Sequence, residues 1–289
     1  MKKLKFILVM LMVTNLVLVG QAQEPGVIKP PTRQDGVYIK ENSNTRRAIP
    51  YTFLREADVM WSKRVWRQID LKEKINHPLY YPIAPLADRK SLYDVLKDGA
   101  LKEGIVHCFS SIDDEFRIEY TKGEIEHILE PWDSTNQVED VNNPGTMIAA
   151  PIKRPIGSED ITKYQIKEDW FFDKQRSVLD VRIIGLLVII AKKSEGGGDA
   201  GGDKGLFWVY FPEIRPLLAN QEVYMRHNDS ERRTLEDIFW KRMFSSYVIK
   251  ESNVYDRMIS EYTSGINALF EAERVKDDIF KFEHDLWHF

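Results

Sequence analysis

The clearest hydrophobic pattern lies between residues 161 and 211 and predicts β-strands. Residues 162–172 alternate in part between polar and apolar side chains and end in an aromatic run. Residues 178–191 are rich in β-branched side chains and nearly free of polar ones at their centre, which fits a strand buried on both faces. Residues 206–211 form a third apolar run. Short connections between the three runs favour an antiparallel meander.

Before this predicted sheet, the apolar side chains recur with a helical period, which predicts a helix over residues 56–75. At 100° per residue, five apolar side chains fall on one arc of about 160°. They are Val59, Trp61, Val65, Trp66 and Ile69. Four basic side chains cluster on the far side, namely Lys63, Arg64, Arg67 and Lys74. Pro78 follows the segment, and proline cannot continue a helix.

Capping residues predict two shorter helices. Asp88 or Ser91 is placed to cap a helix over residues 91–101, which glycines bracket at its end. Thr234 begins a capping-box pattern for a helix that runs to about Phe244.

The last predicted helix begins near Ser264 and carries two apolar stripes. Its first half places Ile266, Leu269 and Phe270 on one side. Its second half places Val275, Ile279, Phe282 and Leu286 on nearly the opposite side. A straight helix of this kind would bury two faces. Either the domain covers both, or one stripe binds a partner.

The segments between these elements are less regular. Residues 105–130 are expected to form short strands interrupted by Gly123. Residues 131–160 are rich in Pro, Asn and Gly and predict a long surface connection. The glycine-rich run at 194–205 is expected to be a flexible hairpin loop.

The order of elements indicates an α+β fold with a helical N-terminal part, a central antiparallel β-sheet and C-terminal helices. We expect residues 56–289 to form a single globular region. Residues 23–55 contain four prolines and few large apolar groups, so we expect an extended arm that cannot build its own core.

The first 22 residues have the layout of a cleavable signal peptide. Three lysines precede an apolar stretch from Phe6 to Val19, and Gly20 and Ala22 then stand at the −3 and −1 positions of a cleavage site. The apolar stretch is shorter than the roughly 20 residues that span a bilayer, which disfavours the alternative of an uncleaved anchor. No cysteine follows the cleavage site, so a lipid-free mature chain beginning at Gln23 is expected.

Charge and cysteine content narrow the function classes. Without the leader, 38 basic residues stand against 45 acidic ones. This balance argues against nucleic-acid binding, which usually shows a basic excess. Cys108 is the only cysteine, so no intramolecular disulfide can form. It lies in an apolar, strand-like run, where its neighbour His107 would point to the opposite face, and we expect a buried, inert thiol.

Searches for catalytic and metal motifs lead to no active site. The glycine-rich loop lacks the Gly-Lys-Ser/Thr ending of a phosphate-binding loop and is followed by a strand. His284 and His288 have a helical metal-ligand spacing, but they stand at the frayed end of the chain. We therefore expect no cofactor, no metal and no catalytic residue. A periplasmic enzyme whose site is assembled from scattered carboxylates, and a monomeric binding module, stay open as alternatives.

One long aromatic and basic segment resembles the hallmark of a known family. Residues 57–82 read ADVMWSKRVWRQIDLKEKINHPLYYP. Together with the Pro-rich leader, the helix beginning Ser91-Leu92-Tyr93, the segment ending at Asp173 and the strand around Trp208, this run resembles the GldN/PorN family of gliding-motility and type IX secretion proteins.

The resemblance implies a periplasmic, non-enzymatic component of the type IX secretion machinery. Members of the family bind an outer-membrane lipoprotein of the GldK/PorK type and build a large ring with it, and they contact an inner-membrane motor protein of the GldM/PorM type. The family has no catalytic motif to transfer to this chain.

Such a subunit needs several binding surfaces, and the sequence offers three candidates. They are the extended arm, the basic and aromatic surface around residues 63–81, and the second stripe of the last helix. The candidate partner-binding residues are Lys63, Arg64, Arg67, Lys74, Tyr80, Tyr81, Val275, Ile279 and Phe282. Each basic residue has the alternative of a merely solvated side chain, and each aromatic or aliphatic residue that of a core position.

Overall fold

A six-stranded antiparallel sheet forms the centre of the structure, in the order β12-β1-β7-β8-β9-β2. The computed structural model describes residues 46–86, 89–133, 137–139, 147–149, 151–193, 199–225, 228 and 230–286. The strands are β1 (Val59–Asp70), β2 (Cys108–Ser110), β3 (Trp132–Asp133), β4 (Gln137–Glu139), β5 (Met147–Ala149), β6 (Ile152–Lys153), β7 (Ile161–Asp173), β8 (Val178–Lys193), β9 (Asp199–Tyr210), β10 (Glu222–Val223), β11 (Arg233–Thr234) and β12 (Tyr247–Glu251).

Seven α-helices accompany the sheet in the described part of the chain. They are α1 (His77–Tyr80), α2 (Leu92–Asp98), α3 (Lys122–Leu129), α4 (Phe211–Ala219), α5 (Leu235–Trp240), α6 (Ile259–Tyr262) and α7 (Ile266–Asp285). None of these helices is long and apolar enough to cross a membrane. The predicted signal peptide and most of the predicted arm lie outside the described residues.

The predicted meander is confirmed. β7, β8 and β9 pair antiparallel in sequence order, and residues on both faces of β8 are buried between Ile183 and Ile189. β9 begins at Asp199, so it includes the second half of the predicted glycine-rich loop. Residues 194–198 of that loop lie outside the described part.

The predicted helix over residues 56–75 is wrong. Apart from a single 3-10 turn on either side, this segment is the long strand β1, which pairs with β7 along its whole length and with β12 at its end. The apolar residues Trp61, Val65 and Ile69 are four apart. A spacing of four is about one helical turn and also two full strand repeats, so it suits both structures. Pairing with β7, about a hundred residues away, and with β12, farther still along the chain, decides for the strand.

Two other local predictions need correction. Residues 105–130 contain one short strand, β2, and then α3, which includes Gly123 in its first turn and begins with a capping box at Thr121. The Thr234 capping box is confirmed, but α5 ends at Trp240 rather than near Phe244. The predicted helix over residues 91–101 is observed as α2, capped by Ser91 and continued by a single π-helical turn.

Strand alternation gives the sheet two different faces. The inner face carries the main core, in which side chains of β1, β7, β8, β9 and β2 pack against α2, α3, α4 and α5. A second core on the same face joins the sheet edge to α6 and α7, and its buried residues are Val65, Val248, Ile259, Ala272, Val275 and Ile279. The outer face carries a smaller apolar cluster of Trp66, Leu187, Ile189 and Trp208.

Candidate partner interface

The cations of β1 do not form a common surface. Alternation along the strand sends Lys63 and Arg67 to the inner face and Arg64 to the outer face. Lys63 Nζ lies 2.6 Å from Glu251 Oε2. Arg64 donates two hydrogen bonds to the carboxylate of Asp169, at 2.6 and 2.7 Å. This bond with Asp169 raises the pKa of Arg64. Both partly exposed cations are therefore already paired within the chain.

Arg67 is held inside the fold rather than presented to solvent. Its Nε donates to Ser246 Oγ at 2.9 Å and its Nη2 to the Ser246 carbonyl at 3.0 Å. Burial lowers its pKa, and the neighbouring carboxylate of Glu168 opposes that shift. Glu168 is itself fully buried, 2.9 Å from Arg242 Nη2, and accepts a bond from Trp170 Nε1. Arg67 and Glu168 thus form a polar seam between the main core and the second core.

Lys74 and Tyr81 are the most accessible of the predicted residues around position 80. Lys74 is exposed in a 3-10 turn after β1. Tyr81 is also exposed and lies edge-on to Tyr80, with ring centroids 4.8 Å apart. Tyr80 is partly buried against the main core, so less of it than of Tyr81 is accessible to a partner.

The predicted stripe at Val275, Ile279 and Phe282 packs against the chain's own sheet. Val275 and Ile279 are buried in the second core, and Phe282 stacks on Trp61 with ring centroids 4.3 Å apart. The structure therefore does not leave this stripe accessible to a partner, because it is what attaches α7 to the sheet. The other stripe of the helix is exposed. Its apolar residues are Ile266, Leu269, Phe270 and Phe280.

A loop across the outer face, which we call the strap (residues 111–118), holds a buried lysine. Lys167 is 3% exposed, and its Nζ donates to the carbonyl of Asp114 at 2.6 Å. The Asp114 carboxylate accepts a bond from Trp66 Nε1 at 2.8 Å. Burial lowers the pKa of Lys167, and Asp114 opposes the shift. The ring of Phe116 packs on the same cluster. Residues 111–118 show no hydrophobic period, so their sequence does not predict the strap.

The described end of the N-terminal arm, residues 46–55, is fastened to the domain, and we call it the clasp. The Tyr51 ring lies 4.0 Å from the guanidinium carbon of Arg215 and 5.0 Å from that of Arg182. It also stacks on Trp240, with centroids 5.8 Å apart. Burial raises the pKa of Tyr51, and Arg215 opposes the shift.

The same two arginines bind the backbone of the clasp. Arg215 Nη2 donates to the carbonyl of Ile49 and to Glu236 Oε1, both at 2.6 Å. Arg182 Nη2 donates to the carbonyl of Thr52 at 2.6 Å. Arg215 and Glu236 are both buried, although charged residues are rarely so. The clasp therefore has specific anchors, and these come from helices and strands far along the chain.

The cysteine and histidines that the sequence offers as possible reactive or metal-binding groups begin with Cys108 and His107. Cys108 is fully buried, and burial raises its pKa to about 12. His107 lies just before β2 and is exposed; its Nδ1 lies 2.5 Å from Glu119 Oε1, and this bond raises the pKa of His107. Within the described residues, no group of three or more His, Cys, Asp or Glu side chains is placed to hold a metal ion. His288, half of the histidine pair, lies outside them.

Comparison with protein families identifies the chain's relatives. A family described as "Gliding motility associated protein GldN" matches residues 54–288, which include the sheet, both cores and α7. This chain belongs to the GldN family. The family is a structural component of gliding motility and type IX secretion. No curated protein matches the chain.

Proposed function

We propose that this GldN-family protein is a non-enzymatic periplasmic subunit of the type IX secretion and gliding machinery. It forms a ring with an outer-membrane lipoprotein of the GldK/PorK type and couples that ring to an inner-membrane motor protein of the GldM/PorM type. The observation that carries the proposal is the family match over residues 54–288.

Features of the surface support a role in binding other proteins. Several large apolar side chains are exposed in separate regions, including Phe53, Ile112, Val254 and Phe270. On α7, Phe270 belongs to a group of exposed apolar residues together with Ile266 and Leu269, and grouped exposed apolar side chains mark interaction sites. Heterologous contacts within a ring require two different surfaces on each copy.

The test is reconstitution with the lipoprotein partner. The mature chain is mixed with the GldK/PorK-type lipoprotein in detergent, and the mass of the product is measured by size-exclusion chromatography with light scattering. We expect particles that contain many copies of both proteins. A chain that elutes as a monomer in the presence of the lipoprotein would contradict the ring and favour a monomeric binding module.

The basic candidates can be tested in the same assay, with one restriction. Charge reversal at Lys74 or Arg64 probes the surface, because Lys74 is exposed and Arg64 is partly so. Arg67→Glu is not a surface probe, since it would bury a second carboxylate beside Glu168 and destabilise the fold. If Lys74→Glu and Arg64→Glu both assemble normally while remaining folded, these cations have no role in ring formation.

A further inference from the structure

The exposed side of α7 carries an apolar stripe with a defined length and width. Ile266, Leu269, Phe270 and Phe280 are 70%, 61%, 69% and 64% exposed. At 100° per residue they fall within an arc of about 100°, opposite the residues buried in the second core. The stripe extends over about 21 Å, given a rise of about 1.5 Å per residue. The stripe is therefore long enough to bind a helix, and residues 266, 270, 273, 277 and 280 follow the 3-4 spacing of core positions in coiled coils.

Two acidic residues divide this stripe in its middle. Glu273 and Asp277 are exposed and lie on the same arc as the apolar residues. Glu273 Oε1 accepts a bond from Lys276 Nζ at 2.9 Å, in an ion pair that is largely exposed to solvent. No described residue pairs with the carboxylate of Asp277. The surface is therefore apolar at both ends and negative at its centre.

This charge arrangement disfavours a second copy of the chain as the occupant. In an antiparallel two-fold pairing about the centre of the stripe, Glu273 would face its own copy, and Asp277 would face Leu269 or Phe270. In a parallel pairing, both acidic residues would face their own copies. Like charges opposite one another and a carboxylate against apolar side chains both oppose association.

We infer that the exposed stripe of α7 binds an amphipathic helix of another protein, with apolar side chains at both ends and Lys or Arg at its centre. The apolar ends cover Ile266, Leu269, Phe270 and Phe280, and the central cation pairs with Glu273 and Asp277. A single charged position in such a helix pair selects the partner and its register. This site goes beyond the proposed ring and does not depend on its formation.

Binding of two synthetic helical peptides to the purified mature chain tests the inference. Each peptide has about 21 residues, or three heptads, with Leu at the first and last core positions. One carries Lys at the central core position and the other carries Glu. We expect the Lys peptide to bind at least about tenfold more tightly by fluorescence anisotropy. Equal affinities, or no binding of either peptide, would overturn the inference.

A charge swap locates the site on the helix. Glu273→Lys should reverse the preference, so that the Glu peptide binds more tightly. Glu283→Lys makes the same charge change at an exposed position outside the stripe and should leave the preference unchanged. If both variants behave alike, the peptide responds to net charge and the proposed site is wrong. Circular dichroism of each variant checks that α7 is still folded.

The natural occupant is identified by photo-crosslinking from position 270 in the bacterial envelope, with position 283 as the control. The linked peptide should come from a different protein and contain a basic amphipathic helix. A crosslink to a second copy of this chain, or to another part of the same chain, would overturn the inference. Because peptide binding is measured on the isolated subunit, it can fail while the ring assembles, and the ring can fail while the peptide binds.

Discussion

At the residue scale, Gly185 on the outer face leaves room for the Phe116 ring of the strap. A Cβ at this position would lie 2.5 Å from Phe116 Cζ and 3.2 Å from Trp208 Cε3. Separations below 3.0 Å do not occur between packed carbon atoms, so a side chain here must displace the Phe116 ring. The close approach of the strap to the sheet therefore depends on glycine.

We predict that Gly185→Ala destabilises the protein by about 1–3 kcal/mol, the usual cost of overpacking. Urea unfolding followed by tryptophan fluorescence measures the change. Gly123→Ala is the matched control, because nothing lies within 4 Å of a Cβ there. In a Phe116→Ala background the cost of Gly185→Ala should fall, since the closest contact is gone and only the 3.2 Å approach to Trp208 Cε3 remains. An unchanged cost in that background would show that Phe116 is not the obstacle.

Cys108 illustrates the opposite situation, a reactive residue type made inert by its surroundings. Burial raises its pKa to about 12, which lowers the thiolate fraction at pH 8 about a thousandfold relative to an ordinary thiol. We predict that a thiol reagent at pH 8 labels the native protein very slowly and labels it in step with unfolding when urea is added. Rapid labelling of the native protein would contradict the buried position.

At the scale of elements, α7 is attached to the sheet by one side only. Ile279 is buried in the second core, whereas Phe280, the next residue, is exposed. We predict that Ile279→Ala costs about 2–5 kcal/mol of unfolding free energy, as expected for a buried side chain. Phe280→Ala should change stability by less than about 0.5 kcal/mol. Chemical denaturation of both variants measures the difference, and similar losses would mean that both sides of α7 are packed.

The sequence predicts the helix α7 and both of its apolar stripes. It does not predict which stripe faces the sheet. Two stripes on one helix can be read from the spacing of Ile266, Leu269 and Phe270 and of Val275, Ile279 and Phe282. Which stripe is buried depends on Trp61, Val65 and Val248, which approach from remote strands. The predicted stripe is therefore buried in the second core, and the opposite one is exposed.

At the scale of the whole molecule, the clasp packs on side chains that come from distant parts of the chain. Its anchors are side chains, since residues 46–55 form no strand. A cation–π contact contributes about 0.5–2 kcal/mol, and Tyr51 makes two of them as well as a ring stack. These contacts thus hold residues 49–52 against Arg182 and Arg215.

We predict that Tyr51→Ala makes cleavage by trypsin after Arg47 about 5- to 30-fold faster, as follows from losing 1–2 kcal/mol of local anchoring. Mass spectrometry of a timed digest measures the rate. Tyr51→Phe keeps the ring and should retain the protection. If Tyr51→Ala and Tyr51→Phe are cleaved at the same rate, the ring contacts do not hold the clasp.

The sequence by itself determined the features that rest on neighbouring residues. These are the three meander strands, the caps at Ser91 and Thr234, the α+β class and the resemblance carried by residues 57–82. The strands, the caps and the fold class depend on local propensity, and the resemblance depends on a continuous stretch of sequence. None of these requires knowledge of distant contacts.

Only the tertiary structure decided whether residues 59–70 are a helix or a strand and where their cations point. Their apolar spacing of four fits both periods, and pairing with β7 selected the strand, which placed Arg64 and Arg67 on opposite faces. The strap, the clasp and the exposed stripe of α7 were likewise set by residues far apart in the chain. Burial is a property of the assembled fold, and one segment does not contain the partners that produce it.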